Sequence, residues 1–387
     1  MKHFSEASII QNRPPHVYSN PERLTMTDDD FLRELLLAEQ NGRALASEGN
    51  PRPGQTWRIR PGPGRMGRAL AAAARWAERH GAKTLIQESE AALRDRTFAT
   101  LFECCRRLGL SDASTGFDDN PINSLAITGN APPRIIATIN DGGSAWALPL
   151  DAPSSRLFVR RSDAGDRVKT CAESREVDRQ AIEDYAIPGL CLMENAGAAA
   201  VMVAADMLEK TRIPGDVLVI AGGGNNAGDG FVVARGLAAL KYRVTVVLLK
   251  DPARLTPDAA VNYRLLDAVS GVTVVDASGD SGSMTASLLA GKSLLVDGLL
   301  GTGFAGRVSP AFARAIDAMN ASGIQTLALD IPSGLSGDSG EADPSTVRAA
   351  RTVTFANLKP GLLTGKGPEK CGILFLGEIG APGAVVG

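Results

Sequence analysis

The chain has 387 residues, which at about 100 to 200 residues per domain predicts two or three domains. Its 44% hydrophobic and 22% charged residues are typical of a globular protein and exclude a fully disordered, coiled-coil or collagen-like chain. The net charge of -2 gives no overall attraction to nucleic acid or to an anionic membrane, so the composition favours small-molecule chemistry.

The N-terminal sequence and the cysteines bear on the compartment. Residues 1–16 contain no long apolar stretch, so no secretory signal is expected. The apolar run Ala196–Leu208 is interrupted by Asp206 and falls short of the ~20 residues that a membrane span needs. The five cysteines show no Cys-x-x-Cys spacing, which argues against a disulfide framework and a zinc site. A cytoplasmic protein without a membrane or nucleic-acid partner is predicted.

The first half of the chain predicts a mainly helical region of unknown function over residues 1–164. Hydrophobic spacing and capping residues favour helices over Phe31–Ala46, Ala69–Arg79 and Glu88–Leu108. A polar stretch, Ser154–Lys169, is the predicted linker, and it places a domain boundary near residue 165 with few contacts crossing it.

A local excess of arginine marks the same half. Between Arg52 and Arg107 there are eleven arginines and one lysine against five acidic residues. Such a bias could meet RNA or phosphate, but solvated helix faces are the favoured interpretation.

The second half, residues 165–387, alternates short apolar runs with helical stretches. This alternation is typical of a mostly parallel sheet covered by helices on both faces, a Rossmann-like three-layer α/β/α sandwich. Ligands bind beyond the carboxyl ends of the strands in such sheets, so functional residues should lie where strands end. Strands are predicted near Val217, Val244, Val272, Leu294, Leu327, Val353 and Ile373.

A glycine-rich loop follows the first of these strands. Gly222, Gly223 and Gly224 allow a tight turn and a close backbone approach to an anion at the start of the next helix. The dinucleotide pattern G-x-G-x-x-G is broken at Ala227, and the loop does not end in the Walker pattern GK[ST]. An ordinary dinucleotide fingerprint and a P-loop are therefore disfavoured, while a simple strand-to-helix turn would leave two adjacent asparagines unexplained.

Five sequence blocks in this half together resemble the YjeF N-terminal domain family, over about residues 168–382. The glycine loop reads GGGNNAGDG where the family usually has GPGNNGGDG, and Gly223 and Ala227 are small substitutes. The blocks lie at Ser174–Gly197, Gly222–Gly230, Val296–Arg307, Leu329–Leu335 and Thr352–Gly372.

The resemblance implies a function: enzyme members of the family are NAD(P)H-hydrate epimerases, which interconvert the R and S forms of hydrated NADH and NADPH in nucleotide repair. It implies Asp330 as the catalytic residue and one K+ per subunit held by Asn226, Asp297 and Ser333. The implied substrate-binding residues, besides Asp330, form two segments: Asn225, Asn226, Ala227, Gly228 and Asp229, then Gly301, Thr302, Gly303, Phe304, Ala305, Gly306 and Arg307.

Elementary chemistry agrees with a carboxylate at the centre. Inverting a carbon that bears a hydroxyl beside a ring nitrogen requires proton transfer, and residues 165–387 contain no histidine. Carboxylates, Lys359 and the cysteines remain; Asp330 ends an apolar strand, where a helix N-cap is its structural alternative. Oxygen ligands at Asp297, Asn226 and Ser333 suit a hard cation without specifying potassium. Asn195 and Lys359 are interpreted as structural and are left out of the catalytic set.

Two other functions stay open: relatives of this domain also occur as non-catalytic nucleotide-binding or protein- or RNA-interaction modules, and a nicotinamide-dependent oxidoreductase would share the fold class. The partners implied by the resemblance are the hydrated nucleotide, a second copy of the chain and a separate dehydratase in the same pathway.

Overall fold

The computed structural model describes residues 28–49, 55–60, 65–86, 95–110, 124–128, 134–136, 158–162, 165–211, 215–279 and 286–386, with single positions at 51, 53, 93 and 150. Part of the predicted linker, residues 154–157 and 163–164, lies outside this range, as do residues 88–92 of the third predicted helix.

The described chain alternates helices and strands. Its helices are α1 Asp28–Gly49, α2 Arg65–Arg79, α3 Arg96–Arg107, α4 Cys171–Glu183, α5 Gly189–Lys210, α6 Asn225–Ala239, α7 Pro257–Leu265, α8 Ala286–Leu289, α9 Pro310–Ala321, α10 Pro360–Leu363, α11 Gly367–Lys370 and α12 Gly383–Val386. Its strands are β1 Thr56–Arg60, β2 Lys83–Ile86, β3 Ser124–Thr128, β4 Arg134–Ile136, β5 Val159–Arg161, β6 Asp216–Ala221, β7 Val244–Leu248, β8 Val272–Asp276, β9 Lys292–Gly298, β10 Thr326–Leu329, β11 Arg351–Phe355 and β12 Ile373–Gly377.

The second half contains an eight-stranded sheet in the order β5-β12-β11-β10-β9-β6-β7-β8. All seven predicted strands are present and pair in parallel, and the edge strand β5 pairs antiparallel with β12. Since β5 begins at Val159, the sheet extends a few residues beyond the boundary placed near residue 165. The chain runs outward in both directions from the β6–β9 pair, which makes this pair the topological switch point.

Helices cover both faces of this sheet, which confirms the three-layer prediction. Along β6, Val217 and Val219 pack in the cluster that contains α5 and α6, whereas Leu218 and Ile220 pack with α9. Burial on both faces explains why the strand sequences are continuously apolar rather than alternating. Helix α5 alone among the described helices is long and apolar enough to cross a membrane, and 89% of its apolar window is buried inside the protein.

The first half is helical as predicted, but it also contains a four-stranded sheet, β2-β1-β3-β4, that was not predicted. Strands β1 and β2 are parallel, while β3 is antiparallel to both β1 and β4. Within the third predicted helix, α3 begins at Arg96, because the extended Asp95 caps it by accepting a hydrogen bond from the Phe98 amide.

The two halves are packed together, contrary to the expectation of few contacts between them. Glu39 of α1 forms an ion pair with Arg75 of α2 and accepts a 2.9 Å hydrogen bond from Asn195 of α5. All three side chains are buried. One hydrophobic cluster joins apolar residues of both halves. The arginine-rich stretch was interpreted as solvated helix faces, but Arg75 is buried and does not belong to such a face.

Candidate active site

Two unusual backbone turns end the neighbouring strands β10 and β11. Asp330 and Ala356 both have φ of 61°, in the left-handed region that residues other than glycine rarely adopt. Each is the centre of a three-residue turn: the Ile331 amide donates to Leu329 O and the Asn357 amide to Phe355 O, both at 2.7 Å. Strained turns of this kind concentrate at functional sites.

These turns bring Asp330 against Lys359. The Lys359 ammonium donates to Asp330 Oδ1 at 2.6 Å and to both Thr354 Oγ1 and Phe355 O at 3.0 Å. Its side chain is 2% exposed and that of Asp330 is 11% exposed. The pair is thus a nearly buried ion pair in which the carboxylate keeps a small opening to solvent.

Lys359, which was interpreted as structural from the sequence, is the ion-pair partner of the predicted catalytic residue Asp330. The usable signal was its position: Lys359 follows β11, the strand that pairs with β10. Asn195, by contrast, donates hydrogen bonds to Glu39 and to Ile379 O, and its interpretation as structural stays a prediction.

Two further carboxyl groups interact electrostatically with the Asp330–Lys359 pair. Burial, reinforced by the charges of Asp330 and Asp178, raises the pKa of Asp229 well above its ordinary value. Asp178 of α4 lies at the surface, but the neighbouring protein partly desolvates its carboxyl group and raises its pKa to about 6. The charge of Lys359 lowers this pKa, and the charge of Asp330 raises it further. The site thus combines a buried carboxyl group whose pKa is raised with a carboxylate that is ion-paired to a lysine.

The glycine loop ends at the N-terminus of α6, so the predicted segment Asn225–Asp229 forms the first turn of that helix. Gly224 and Asn225 are exposed, while Asn226 and Asp229 are buried. Asn225 Oδ1 accepts a 2.7 Å hydrogen bond from Thr256, which precedes α7. An open helix N-terminus presents amide groups and a positive dipole end, so it can bind a phosphate group.

The second predicted segment, Gly301–Arg307, follows β9 beside this helix terminus. A Cβ added to Gly301 would lie 3.4 Å from Asn226 Cβ and from Asp330 Oδ2, so the three predicted segments converge here. Arg175 of α4 donates to Thr302 O at 2.8 Å, and Arg307 at the end of the segment is exposed. The segment therefore borders the site, with its far end open to solvent.

Asn226, Asp297 and Ser333, the predicted ion ligands, meet around Leu300. Leu300 O accepts from Asn226 Nδ2 at 2.7 Å, and the Leu300 amide donates to Ser333 Oγ at 2.9 Å. Ser333 donates to Asp297 through both its hydroxyl and its amide, at 2.6 and 2.8 Å. Burial raises the pKa of Asp297 to about 6 despite these hydrogen bonds.

This oxygen set fits a hard cation. Within the described chain, Asn226 Oδ1 is buried and has no hydrogen-bond partner, although buried amide oxygens are normally paired. It lies in the same cluster as a buried carboxylate, and carboxylate, amide and hydroxyl oxygens are the ligands that hard cations prefer.

The fold and site define an α/β protein with an open helix N-terminus at its topological switch point and a buried aspartate–lysine pair at the ends of the neighbouring strands β10 and β11. The sequence matches the family model described as YjeF-related protein N-terminus over residues 189–361. A protein of Rhodopirellula baltica named NAD(P)H-hydrate epimerase is 38% identical over 212 residues, which are 54% of this chain and 81% of that protein. One of the same name from Pirellula staleyi is 38% identical over 57% of this chain and 95% of its own length.

Longer relatives match the same half. A bifunctional NAD(P)H-hydrate repair enzyme of Salinibacter ruber is 38% identical over 56% of this chain and 41% of its own length. A crystal structure of a yeast protein is 23% identical, with a TM-score of 0.47, over 52% of this chain and 86% of that one. From the family match and the first two relatives, the chain belongs to the family of proteins related to the YjeF N-terminus.

Proposed function

We propose that this protein interconverts the R and S forms of hydrated NADH and NADPH. The observation that carries the proposal is the buried Asp330–Lys359 pair, which lies at the switch point beside the open N-terminus of α6. The family relatives named NAD(P)H-hydrate epimerase support the same activity.

The arrangement supports a place for each part of the proposed substrate. The phosphate groups would bind at the amides of Asn225 and Asn226, where the helix dipole favours negative charge. The hydrated ring would then face Asp330, whose Oδ2 lies beside Gly301 and whose side chain is 11% exposed.

Epimerisation needs one group that accepts a proton and one that donates it. In ring opening, a base takes the hydroxyl proton, the carbon–nitrogen bond breaks with its electrons going to nitrogen, which takes a proton from the acid, and an aldehyde forms. Closure on the other face reverses these steps. In water loss, an acid protonates the hydroxyl, the carbon–oxygen bond breaks, and water returns to the opposite face while a base takes its proton. The ion-paired Asp330 serves as the base in either route.

Asp229 supplies the complementary proton. Its carboxyl group is buried on the first turn of α6, and its raised pKa keeps it protonated beyond the range of an ordinary aspartic acid. Lys359 positions Asp330 and balances its charge, which limits the tendency of two nearby carboxyl groups to share a proton.

We extend the proposal to potassium, which Asn226, Asp297 and Ser333 would hold. A bound cation would add positive charge near the nucleotide and tie the glycine loop to the loop after β10. The unpartnered Asn226 Oδ1 and the buried Asp297 support this assignment.

Several observations weigh against the alternatives. A buried ion pair with a strained aspartate is costly to retain in a module that only binds. The broken glycine pattern and the absence of histidine after residue 164 argue against the alternative that the protein is a nicotinamide-dependent oxidoreductase. Because the bifunctional relatives carry a repair name, we also propose that a separate dehydratase consumes the product.

The test is a mixture of hydrated NADH epimers from which one epimer has been depleted. Chiral chromatography should show the protein restoring the equilibrium ratio much faster than buffer does. A ratio that returns only at the buffer rate would contradict the proposal, and oxidation of NADH by a panel of carbonyl compounds would indicate the oxidoreductase instead.

A further inference from the structure

The first half of the chain repeats the architecture that carries the site in the second half. The series α1-β1-α2-β2-α3 has the same element order as α5-β6-α6-β7-α7. The second helices of the two series, α2 and α6, are both 15 residues long and begin 160 residues apart. Matching order and length in two parts of one chain indicates an internal repeat.

The strand registers agree residue for residue. Trp57 of β1 pairs with Thr84 of β2, and Val217 of β6 pairs with Val244 of β7, an offset of 160 residues for both partners. Both strand pairs are parallel. A common offset on both strands means that the intervening loop, helix and turn together have the same length in the two units.

The second helix of each unit also ends in the same way at this offset. Gly81 and Lys241 both adopt positive φ, 80° and 72°, and donate to the carbonyls of Glu78 and Ala238 at 2.8 and 2.9 Å. The following amides, of Ala82 and Tyr242, each donate a 3.0 Å hydrogen bond to the carbonyl of the residue five positions earlier. Lys241 adopts this left-handed conformation although it is not glycine.

The first and second helices pack through equivalent residues. Gly42 lies where an added Cβ would meet Ala72 at 2.4 Å, and Gly197 lies where one would meet Val232 at the same 2.4 Å. Ala72 and Val232 differ by 160, whereas Gly42 and Gly197 differ by 155, because the chain from this glycine to the first residue of the following strand is five residues shorter in the first unit.

Each helix pair is also tied by a matching ion pair. Glu39 pairs with Arg75 in the first unit, and Glu194 pairs with Arg235 at 2.7 Å in the second. The glutamates precede Gly42 and Gly197 by three residues each, and the arginines again differ by 160. Equivalent charges therefore occupy equivalent positions in both units.

The two units dock through reciprocal hydrogen bonds. Gln40 donates 2.9 Å to Glu194 Oε1, and Asn195, the equivalent of Gln40, donates 2.9 Å to Glu39 Oε1. In an interface with two-fold symmetry, residue i contacts j and the equivalent of i contacts the equivalent of j. The contact between α1 and α5 thus has the pattern of a two-fold dimer within one chain.

The first unit has kept this packing and lost the site. At the positions of Asn225, Asn226 and Asp229 it has Arg65, Met66 and Ala69. Next to β1, the place that β9 occupies beside β6 is taken by β3, which runs antiparallel. Because β3 runs in the opposite direction, its carboxyl end lies at the other edge of the sheet. The loop after β3 therefore does not form a second switch point with the loop after β1.

We propose that residues 28–107 are a degenerate second copy of the unit at residues 189–265, and that they occupy the face of α5 on which another copy of this chain would bind. The protein is then a monomer with the internal symmetry of a dimer and one nucleotide site per chain. Residues 28–107 then take the place of the second copy of the chain that the family resemblance led us to expect.

Light scattering and thiol labelling of the full chain test this together. Cys104 donates to Ala186 O at 3.0 Å across the contact, and Cys191 is fully buried in the shared cluster. The expected result is a mass of 40.4 kDa and no maleimide labelling of either thiol in the native protein at any concentration. A doubled mass, or labelling of either thiol in a native monomer, would overturn the proposal.

A pair of matched variants tests the reciprocal contact itself. Gln40→Glu places a carboxylate against Glu194 and should open the contact, so that labelling of Cys104 and Cys191 rises together by at least tenfold. Gln180→Glu makes the same change beside Glu176 on the exposed face of α4 and should leave labelling unchanged. Equal labelling of the two variants would overturn the docking; should Gln40→Glu not fold, the wild-type mass and labelling still decide.

Discussion

Replacing Lys359 by methionine tests the interaction on which the site depends. The variant removes an ammonium that donates three hydrogen bonds and leaves Asp330 without its cation. Methionine has a similar length and adds no charge, so the change isolates the electrostatic and hydrogen-bonding contribution of the ammonium.

The expected cost follows from burial, since Lys359 is 2% exposed and solvent cannot replace the lost partner. Breaking one side of a buried ion pair destabilises a protein by about 3–5 kcal/mol. At a few degrees per kcal/mol, the melting temperature should fall by on the order of 10 °C. The epimerisation rate should fall roughly a hundredfold or more, because the proposed base, Asp330, would lose the ammonium that holds its carboxylate in place and balances its charge.

Calorimetry and urea unfolding measure the stability, and a double-mutant cycle with Asp330→Asn separates the pair from its surroundings. The two changes together should cost less than their sum by roughly 2–3 kcal/mol, since no unpaired charge remains. Lys366→Met provides the matched control: its pair with Glu369 is exposed, so the change should cost about 0–1 kcal/mol. Additive effects in the cycle, or equal effects of the two lysine variants, would refute the reasoning.

The other site residues give three further predictions. Asp229→Asn should raise the melting temperature at pH 8 while abolishing activity, because a carboxyl whose folded pKa is raised loses stability as pH rises above its unfolded pKa; an unchanged melting temperature would contradict this. Asp178→Asn should move the alkaline limb of the kcat/KM profile to lower pH, since it removes a charge that raises the pKa of Asp229; an unmoved limb argues against the coupling. Asp297→Ala should lower substrate affinity and melting temperature together, and wild-type melting should rise when K+ replaces a bulky organic cation at equal ionic strength; indifference to the cation in melting and affinity would remove the ion site.

The sequence predicted the second sheet well, for a physical reason. Strands buried on both faces are continuously apolar, so β6, β9 and β10 stand out without any long-range information. Because the carboxyl ends of parallel strands share one edge, the residues that follow these strands could be placed near one another before the structure was known. Asp330 was placed at a strand end in this way, whereas its catalytic role came from the family resemblance and stays a prediction.

Lys359 was missed because its role depends on a turn. Ala356 takes a left-handed conformation, and the chain then returns toward Asp330; nothing in the apolar pattern of β11 encodes that reversal. The ion pair joins residues that follow two different strands. The local sequence around Lys359 therefore does not show that its partner is Asp330.

The first half was harder because its signals are long-range. Strand β1 reads Thr-Trp-Arg-Ile-Arg, in which the arginines interrupt the apolar pattern, and its antiparallel partner β3 lies far along the chain. Buried charges were equally hidden: Glu39 and Arg75 belong to different helices and resemble surface residues until the helices pack.

The most direct measurement of the central claim is the epimerisation rate of folded Asp330→Asn at saturating hydrated NADH, compared with the wild-type chain. The amide retains the shape of the carboxylate but cannot serve as a base, so the rate should fall at least about a hundredfold while the nucleotide still binds. A rate near that of the wild-type chain would show that Asp330 is not the group that moves the proton.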